Sequence, residues 1–234
     1  MTFNEYCDEI TFNFFAEYLQ VKEMSKDRVT MLKLLMPKTV FETWQSENEE
    51  THLCFDLENV LKNPLKNIHK DDSLIFRYNG FGNFNLDLKS GLTRQFQIIP
   101  LKYEEQELPE PKIVFTTRTT LIVKDVLRIL KDIPDYENVR LSADQDKLVF
   151  ACDSDSINYK VDITKGDIAM LNHEVKEIAK ASYSIDQLKP LIKSIDKLSE
   201  TMILEFAEDM PLKITVPLMG DGELTFWCAP RISE

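Results

Sequence analysis

Glycine is scarce in this chain, with six in 234 residues, and none falls in a GxGxxG or Walker pattern. A backbone cradle for nucleotide phosphates of those types is therefore excluded. The three histidines (His52, His69 and His173) lie far apart and outside any motif. The four cysteines (Cys7, Cys54, Cys152 and Cys228) lack the paired spacing of a metal site. They are also too sparse for a disulfide framework at this length and read as reduced thiols of an intracellular protein. No apolar run approaches the roughly 20 residues of a membrane span. The start, Met1 to Ile10, carries acids and no basic flank, unlike a signal peptide. The acidic pairs Asp71-Asp72 and Asp153-Ser-Asp155 have no third ligand spaced for a metal ion. No catalytic constellation, metal or cofactor is expected. An enzyme of β-rich fold, such as a nuclease, would have to work through Asp71 or Asp155.

Strand patterns dominate what is present. Glu9 to Phe15, Leu19 to Glu23, Val29 to Met36, Ser73 to Tyr78, Phe84 to Lys89 and Gln95 to Leu101 are β-rich. So are Val139 to Ser142, Lys147 to Cys152, Ile157 to Ile163, Met202 to Phe206, Leu212 to Val216 and Glu223 to Cys228. Many alternate apolar and polar residues, the mark of a sheet with one solvated face. Met31 and Met36 read as core. Between the halves, Leu101 to Lys112 holds two prolines and four glutamates without a period, and reads as an extended linker.

The halves repeat each other. Leu61-Lys62-Asn-Pro-Leu65-Lys66 parallels Leu188-Lys189-Pro-Leu-Ile192-Lys193, at an offset of 127 residues. An acidic turn and an apolar strand follow each. In the second half, Thr119 to Asp132 is expected to be helical, with Val123, Val126, Leu127 and Leu130 inward. Its counterpart should precede Asp8, where only Thr2 to Cys7 remain, so the chain reads as starting inside that helix.

The formal net charge is -12, yet basic residues collect in three rows. These are Lys62, Lys66 and Lys70; Lys124, Arg128 and Lys131; and Lys189, Lys193 and Lys197. Residues three and four apart share a helix face. A solvated face is the ordinary fate of one such row, but three rows in duplicated positions point to phosphate. Lysine suits loose, sequence-blind contact, and no aromatics interleave for base stacking, so duplex backbone is the expected ligand. Ser184 is the expected N-cap of the third helix, with Ile185, Leu188, Ile192 and Ile195 packing inward. Pro64 and Pro190 fall inside the expected helices, so the helices bend there or begin later. On the last strand, Leu224, Phe226 and Cys228 take one face. Trp227 takes the polar one, where it forms an exposed apolar patch for partners or is covered by a loop.

The motifs Asp8-Glu-Ile-Thr-Phe-Asn-Phe, Met24-Ser-Lys-Asp-Arg28-Val29, Glu107-Leu-Pro-Glu, Asp209-Met-Pro-Leu and Trp227-Cys-Ala-Pro-Arg, in this order and with the duplication, resemble the sliding clamps of archaeal and eukaryotic replication, the proliferating cell nuclear antigen family. The Phe-Trp-x-Ala-Pro-Arg ending leans archaeal. The resemblance implies an α+β DNA-clamp fold: two duplicated domains of antiparallel sheets with short helices on the inner face. Its parts would be an N-terminal domain 1–100, a connecting loop 101–112 and a C-terminal domain 113–234. It implies a head-to-tail ring around duplex DNA, most often of three subunits, made of this chain or of paralogues. The basic rows would face DNA. DNA polymerase, the clamp loader, flap endonuclease and ligase would bind outside through short peptide motifs. Carried over by motif, that pocket would use Met24, Arg28, Leu108, Pro109, Pro211, Trp227, Ala229 and Pro230, with Gln106 at its edge. Edge strands Gln95 to Leu101 and Ile157 to Ile163 would join subunits. No membrane is implied, and the location would be cytoplasmic at the nucleoid, or nuclear in a eukaryote. The family's usual first strand, the start of its first helix and a fourth basic row have no counterpart, and Ser25 stands where aspartate is usual. A clamp-fold subunit of a heteromeric replication, repair or checkpoint ring is the alternative.

Overall fold

The computed structural model describes residues 2–46, 50–80, 82–104, 108–155 and 157–231. Its first half contains strands β1 (Glu9–Phe15), β2 (Tyr18–Met24), β3 (Thr30–Pro37), β4 (Glu50–Asp56), β5 (Ser73–Arg77), β6 (Phe84–Lys89) and β7 (Thr93–Ile98), with helix α1 (Lys62–Lys66) between β4 and β5. Its second half contains β8 (Thr117–Ile122), α2 (Val123–Lys131), β9 (Asn138–Ala143), β10 (Lys147–Asp153), β11 (Asn158–Thr164), β12 (Met170–Val175), β13 (Ala179–Ser184), α3 (Ile185–Ile195), β14 (Thr201–Phe206), β15 (Leu212–Pro217) and β16 (Glu223–Cys228).

Antiparallel hairpins connect most of these strands. A nine-stranded sheet runs β12-β8-β14-β15-β16-β3-β2-β1-β4, beside a four-stranded sheet β11-β10-β9-β13 and a three-stranded sheet β5-β6-β7. The wiring repeats between halves. Meander β1-β2-β3 is flanked by β4 as meander β9-β10-β11 is flanked by β13. A helix then leads to a second meander, β5-β6-β7 or β14-β15-β16. The 127-residue offset carries Thr30, the start of β3, onto Ile157, beside the start of β11. The halves join where β16 pairs with β3, from Glu223↔Leu35 to Cys228↔Thr30.

Four strands carry no clear apolar alternation, and the sequence reading lacks them: β4, β8, β12 and β13. Their inward positions are often small or polar. Thr117 and Thr119 of β8 are fully buried, and His173 of β12 bonds Thr119 Oγ1 at 2.8 Å. The expected helix from Thr119 is therefore shorter. Thr119 to Ile122 belong to β8, whose β-branched residues pair with β12 and β14 on both sides. Helix α2 begins at Val123 and buries Val123, Val126, Leu127, Ile129 and Leu130. Each such side chain contributes roughly 1.5–3 kcal/mol by leaving water.

Helix α3 starts where expected, after Ser184, although the serine makes no side-chain cap bond. Ile185, Leu188, Leu191, Ile192 and Ile195 are buried. That burial holds the helix through Pro190, which removes the N–H otherwise owed to the Asp186 carbonyl. Pro64 acts differently. Helix α1 is entered through a π-helical turn, Leu57–Leu61, whose start is capped by Asp56 accepting the Asn59 N–H at 2.8 Å. The wide turn lies where Pro64 offers no donor to the Val60 carbonyl.

The first half also buries a carboxyl. Glu23 of β2 shares a face with Leu32, its cross-strand partner, and accepts the Thr11 N–H at 2.6 Å. Burial pushes Glu23 up to about 7 from 4.5, and the nearby Glu9 adds to the rise. A raised folded-state pKa favours folding fully below the unfolded value and loses that advantage as pH climbs through about 7. The Glu23→Gln variant should therefore lose less stability than wild type between pH 5 and 8, by up to about 3 kcal/mol in urea titrations. Equal pH slopes in the two proteins would contradict this.

Candidate functional site

The basic rows keep most of their exposure and lose part of their regularity. Lys124, Arg128 and Lys131 lie along the exposed side of α2, opposite its apolar face. The Arg128 contact to Asp125, at 3.7 Å, is a surface pair that leaves the guanidinium in solvent. Lys193 of α3 is exposed. Lys189 is diverted: its ammonium donates to the Ile133 carbonyl at 2.8 Å and pairs with Asp135. Packing between α3 and the segment after α2 recruits that lysine as a clamp, so it no longer counts as a free cation. Lys62 pairs with Glu58, one turn earlier. Lys66 is exposed at the end of α1, whereas Lys70 and Lys197 lie beyond the ends of α1 and α3. The rows of eight or nine residues expected on one helix face are thus complete only on α2. Helix length, set by where the following strand must begin, truncates the others.

Two of the residues carried over by motif, Met24 and Trp227, share one row of cross-strand neighbours. Met24 faces Met31, Met31 faces Trp227, and Trp227 faces Lys213. The row continues through Glu205, which accepts from Arg118 and forms an ion pair with Lys213 at 3.2 Å. Trp227 is 5% exposed, so the expected open patch at this residue is corrected to a covered one. Its cross-strand neighbours are Met31 on β3 and Lys213 on β15. Met31, read as core from the sequence, is the central member of this row. The β2–β3 hairpin register would have revealed it, since residues two apart share a face.

Arg28 is exposed in the turn leading into β3, with a left-handed φ of 58°. That turn is held by Ser25 and Asp27. Ser25 Oγ donates to Asp27 and accepts the Thr30 N–H at 3.0 Å, while Asp27 also accepts the Val29 N–H at 3.1 Å. These bonds hold the Asp27 carboxyl below its usual range. Ser25 and Asp27 thus share the structural work at the position where aspartate is usual in the resembled family. Pro211, Ala229 and Pro230 are half-buried at the ends of β15 and β16, and the Ala229 N–H donates to the Val29 carbonyl at 2.9 Å. Leu108 is half-buried and Pro109 exposed in the linker, while Gln106 lies outside the described residues.

Among its described residues the linker is tied at two places. At its start the Leu101 N–H donates to the Cys54 carbonyl at 2.8 Å, and Tyr103 stacks on His52 with ring centres 4.5 Å apart. At its end Glu110 accepts from Lys33 at 2.6 Å and lies 3.7 Å from Lys22. A hollow of about 420 Å³ opens further along, lined by Val114, Ile178, Ala207 and Met210. It borders the nominated set through Met210 and contains none of its members. Strands β7 and β11 both stand at sheet edges with one side unpaired, as the edge-strand expectation requires of a joining surface.

One acid of each acidic pair is held by an arginine. Asp72 pairs with Arg94, and Asp153 with Arg140. Among the described residues no group of three or more His, Cys, Asp or Glu side chains is placed to hold a metal ion. All four cysteines are free and buried, and burial pushes the Cys7 and Cys228 thiols up to about 12. Neither is a thiolate at neutral pH. No helix among the described residues is long and apolar enough to cross a membrane.

No family model matches the chain. The DNA polymerase sliding clamp of Thermofilum pendens is 31% identical to it over 228 residues, covering 96% of this chain and 90% of that protein. The DNA polymerase sliding clamp of Thermococcus onnurineus is 26% identical over 228 residues, covering 97% and 90%. Among solved structures, PCNA from Thermococcus kodakaraensis superimposes with a TM-score of 0.91 at 24% identity, over 98% of this chain and 93% of that one. A chain of the PCNA2-PCNA3 complex from Sulfolobus tokodaii gives 0.89 at 25% identity, again over 98% and 93%. These likenesses run along nearly the whole chain, and the chain belongs to the DNA polymerase sliding clamp family.

Proposed function

We propose that this chain is a subunit of a ring that encircles duplex DNA and tethers DNA polymerase as a non-catalytic processivity factor. Its two clamp domains are 1–100 and 113–234, with 101–112 as the connecting loop. The β16–β3 junction carries this reading. It joins the C-terminal meander of one half to the N-terminal meander of the other. Under the internal duplication, the equivalent strands are β7 and β11, and both have an open edge. The same pairing made between chains extends the sheet head to tail, and a heterologous contact of this kind closes into a ring when the rotation per subunit divides a full turn.

Lys66, Lys70, Lys124, Arg128, Lys131, Lys193 and Lys197, all exposed, are then the cations available to the phosphate backbone. They supply a weak, mobile field, while topology supplies retention. Exclusion of DNA from the outer surface follows from the overall net charge of -12. The row Met24-Met31-Trp227, with Arg28, Leu108, Pro109, Pro211, Ala229 and Pro230, serves as the outer site for short peptide motifs of polymerase, clamp loader, flap endonuclease and ligase. Replacing Lys124, Arg128 and Lys131 together with glutamate should leave the fold intact, because all three are exposed. Polymerase processivity should drop, and the logarithmic salt slope of DNA retention should fall by about one for each lost phosphate contact. Unchanged processivity and slope would remove α2 from the DNA-facing surface.

A heteromeric ring is the second reading, favoured by the likeness to a chain of the PCNA2-PCNA3 complex. Light scattering of the purified chain separates the two. A stable multimer supports self-assembly, and a monomer that assembles only with a paralogue supports the heteromer.

A further inference from the structure

We propose that Glu110 is an electrostatic latch that positions the linker for partner peptides, a role that rests on reading the Met24-Met31-Trp227 row as the peptide site. Lys22 and Lys33 stand directly opposite each other on β2 and β3, on the same face of the sheet. Like charges in that arrangement destabilise a strand pair. Both side chains are also largely covered, at 18% and 22% exposure, so water shields them poorly. The pair is therefore a two-pronged receptor for an anion, and the linker supplies one. The Glu110 carboxylate lies 2.6 Å from the Lys33 ammonium and 3.7 Å from that of Lys22. The two lysines outweigh the cost of partial burial and hold the Glu110 carboxyl below its usual range.

The latch reaches the peptide site in two steps. Along the strands, Met24 and Met31 are each two residues from Lys22 and Lys33, and residues two apart share a face. Glu110 thus docks one row away from the Met31 and Trp227 pair. Along the linker, Pro109 and Pro111 flank Glu110, fixing φ at their own positions and keeping the preceding residues extended. A carboxylate pinned between two prolines transmits its position to Leu108 with few free torsions. Leu108 is two residues upstream, half-buried, and a member of the nominated site. At the other end, Leu101 and Tyr103 are already tied to Cys54 and His52. The ionic contact completes a strap held at both ends, and a peptide meeting a pre-placed strap loses less entropy on binding.

The test measures affinity for a synthetic peptide carrying the family's motif of a glutamine, an aliphatic residue and two aromatics. Measurements are made on wild type, Glu110→Gln, Lys22→Gln/Lys33→Gln, and the triple variant, at low and high salt. Glu110→Gln should weaken binding about fivefold at low salt, leave the melting temperature unchanged, and abolish most of the salt dependence seen in wild type. In the Lys22→Gln/Lys33→Gln background the same change should have no further effect, the signature of direct coupling. Hydrogen exchange at the Leu108, Glu110 and Lys112 amides should speed up in Glu110→Gln. Affinity within twofold of wild type, or an equal loss in the double-lysine background, would overturn the latch. If the wild-type chain binds no motif peptide, the reading of the surface fails. Unchanged linker exchange in Glu110→Gln would then sink the latch on its own.

Discussion

Replacing Leu92 and Ile99 with aspartate is expected to dissolve the assembly into folded monomers. The two residues bracket β7, and they are 78% and 77% exposed in the single chain. Large apolar side chains at both ends of an unpaired edge strand are a liability unless a neighbour covers them. The β16–β3 junction inside the chain gives the pattern of such a neighbour, because there an equivalent edge is fully paired. Burying two aliphatic side chains at a joint contributes roughly 3 kcal/mol or more, so their loss should weaken association at least about 100-fold. The added negative charge on an already acidic chain pushes the same way. Circular dichroism should be unchanged, because neither side chain is buried in the monomer. Light scattering of the chain, alone or mixed with a paralogue, should report the lost mass. An intact multimer or heteromer in the double variant would show that β7 is not the joining edge.

Truncating Trp227 to alanine should abolish motif-peptide binding, and it should also cost stability. The indole is covered by its neighbours on β3 and β15, so the variant leaves a cavity worth about 3–5 kcal/mol. Peptide binding must therefore be measured well below the variant's melting temperature, with folding checked by near-ultraviolet dichroism. Leu108→Ala is the companion, since it removes a half-buried linker residue outside the sheets. Leu108→Ala should lower peptide affinity by tenfold or more, as hot-spot truncations do at about 1.4 kcal/mol per decade. A folded Trp227→Ala protein that binds with wild-type affinity would move the site elsewhere, the hollow beside Val114 and Met210 being the next place to look.

Legibility in the sequence followed the range of the forces involved. Strands with plain alternation, such as Glu9–Phe15, Phe84–Lys89 and Glu223–Cys228, were readable to the residue, because a period of two is a local property. Strand β8 was not, because Thr117 and Thr119 are buried by partners far away in the chain. The exposed row on α2 was readable because three- and four-residue spacing fixes a helix face. Lys189 has the same spacing, but a contact with Ile133 and Asp135, more than 50 residues away, turns it from a phosphate ligand into a structural clamp.

The duplication, the acidic linker, the local basic rows on an acidic chain and, through the motifs, the family were all legible in the residues. These are properties of composition and short-range order. Tertiary structure alone decided that Trp227 is covered, that Met31 lies between it and Met24, and that two facing lysines hold Glu110. The physical reason is that pairing register sets which side chains meet across strands, and register is fixed by contacts between segments that no local pattern relates.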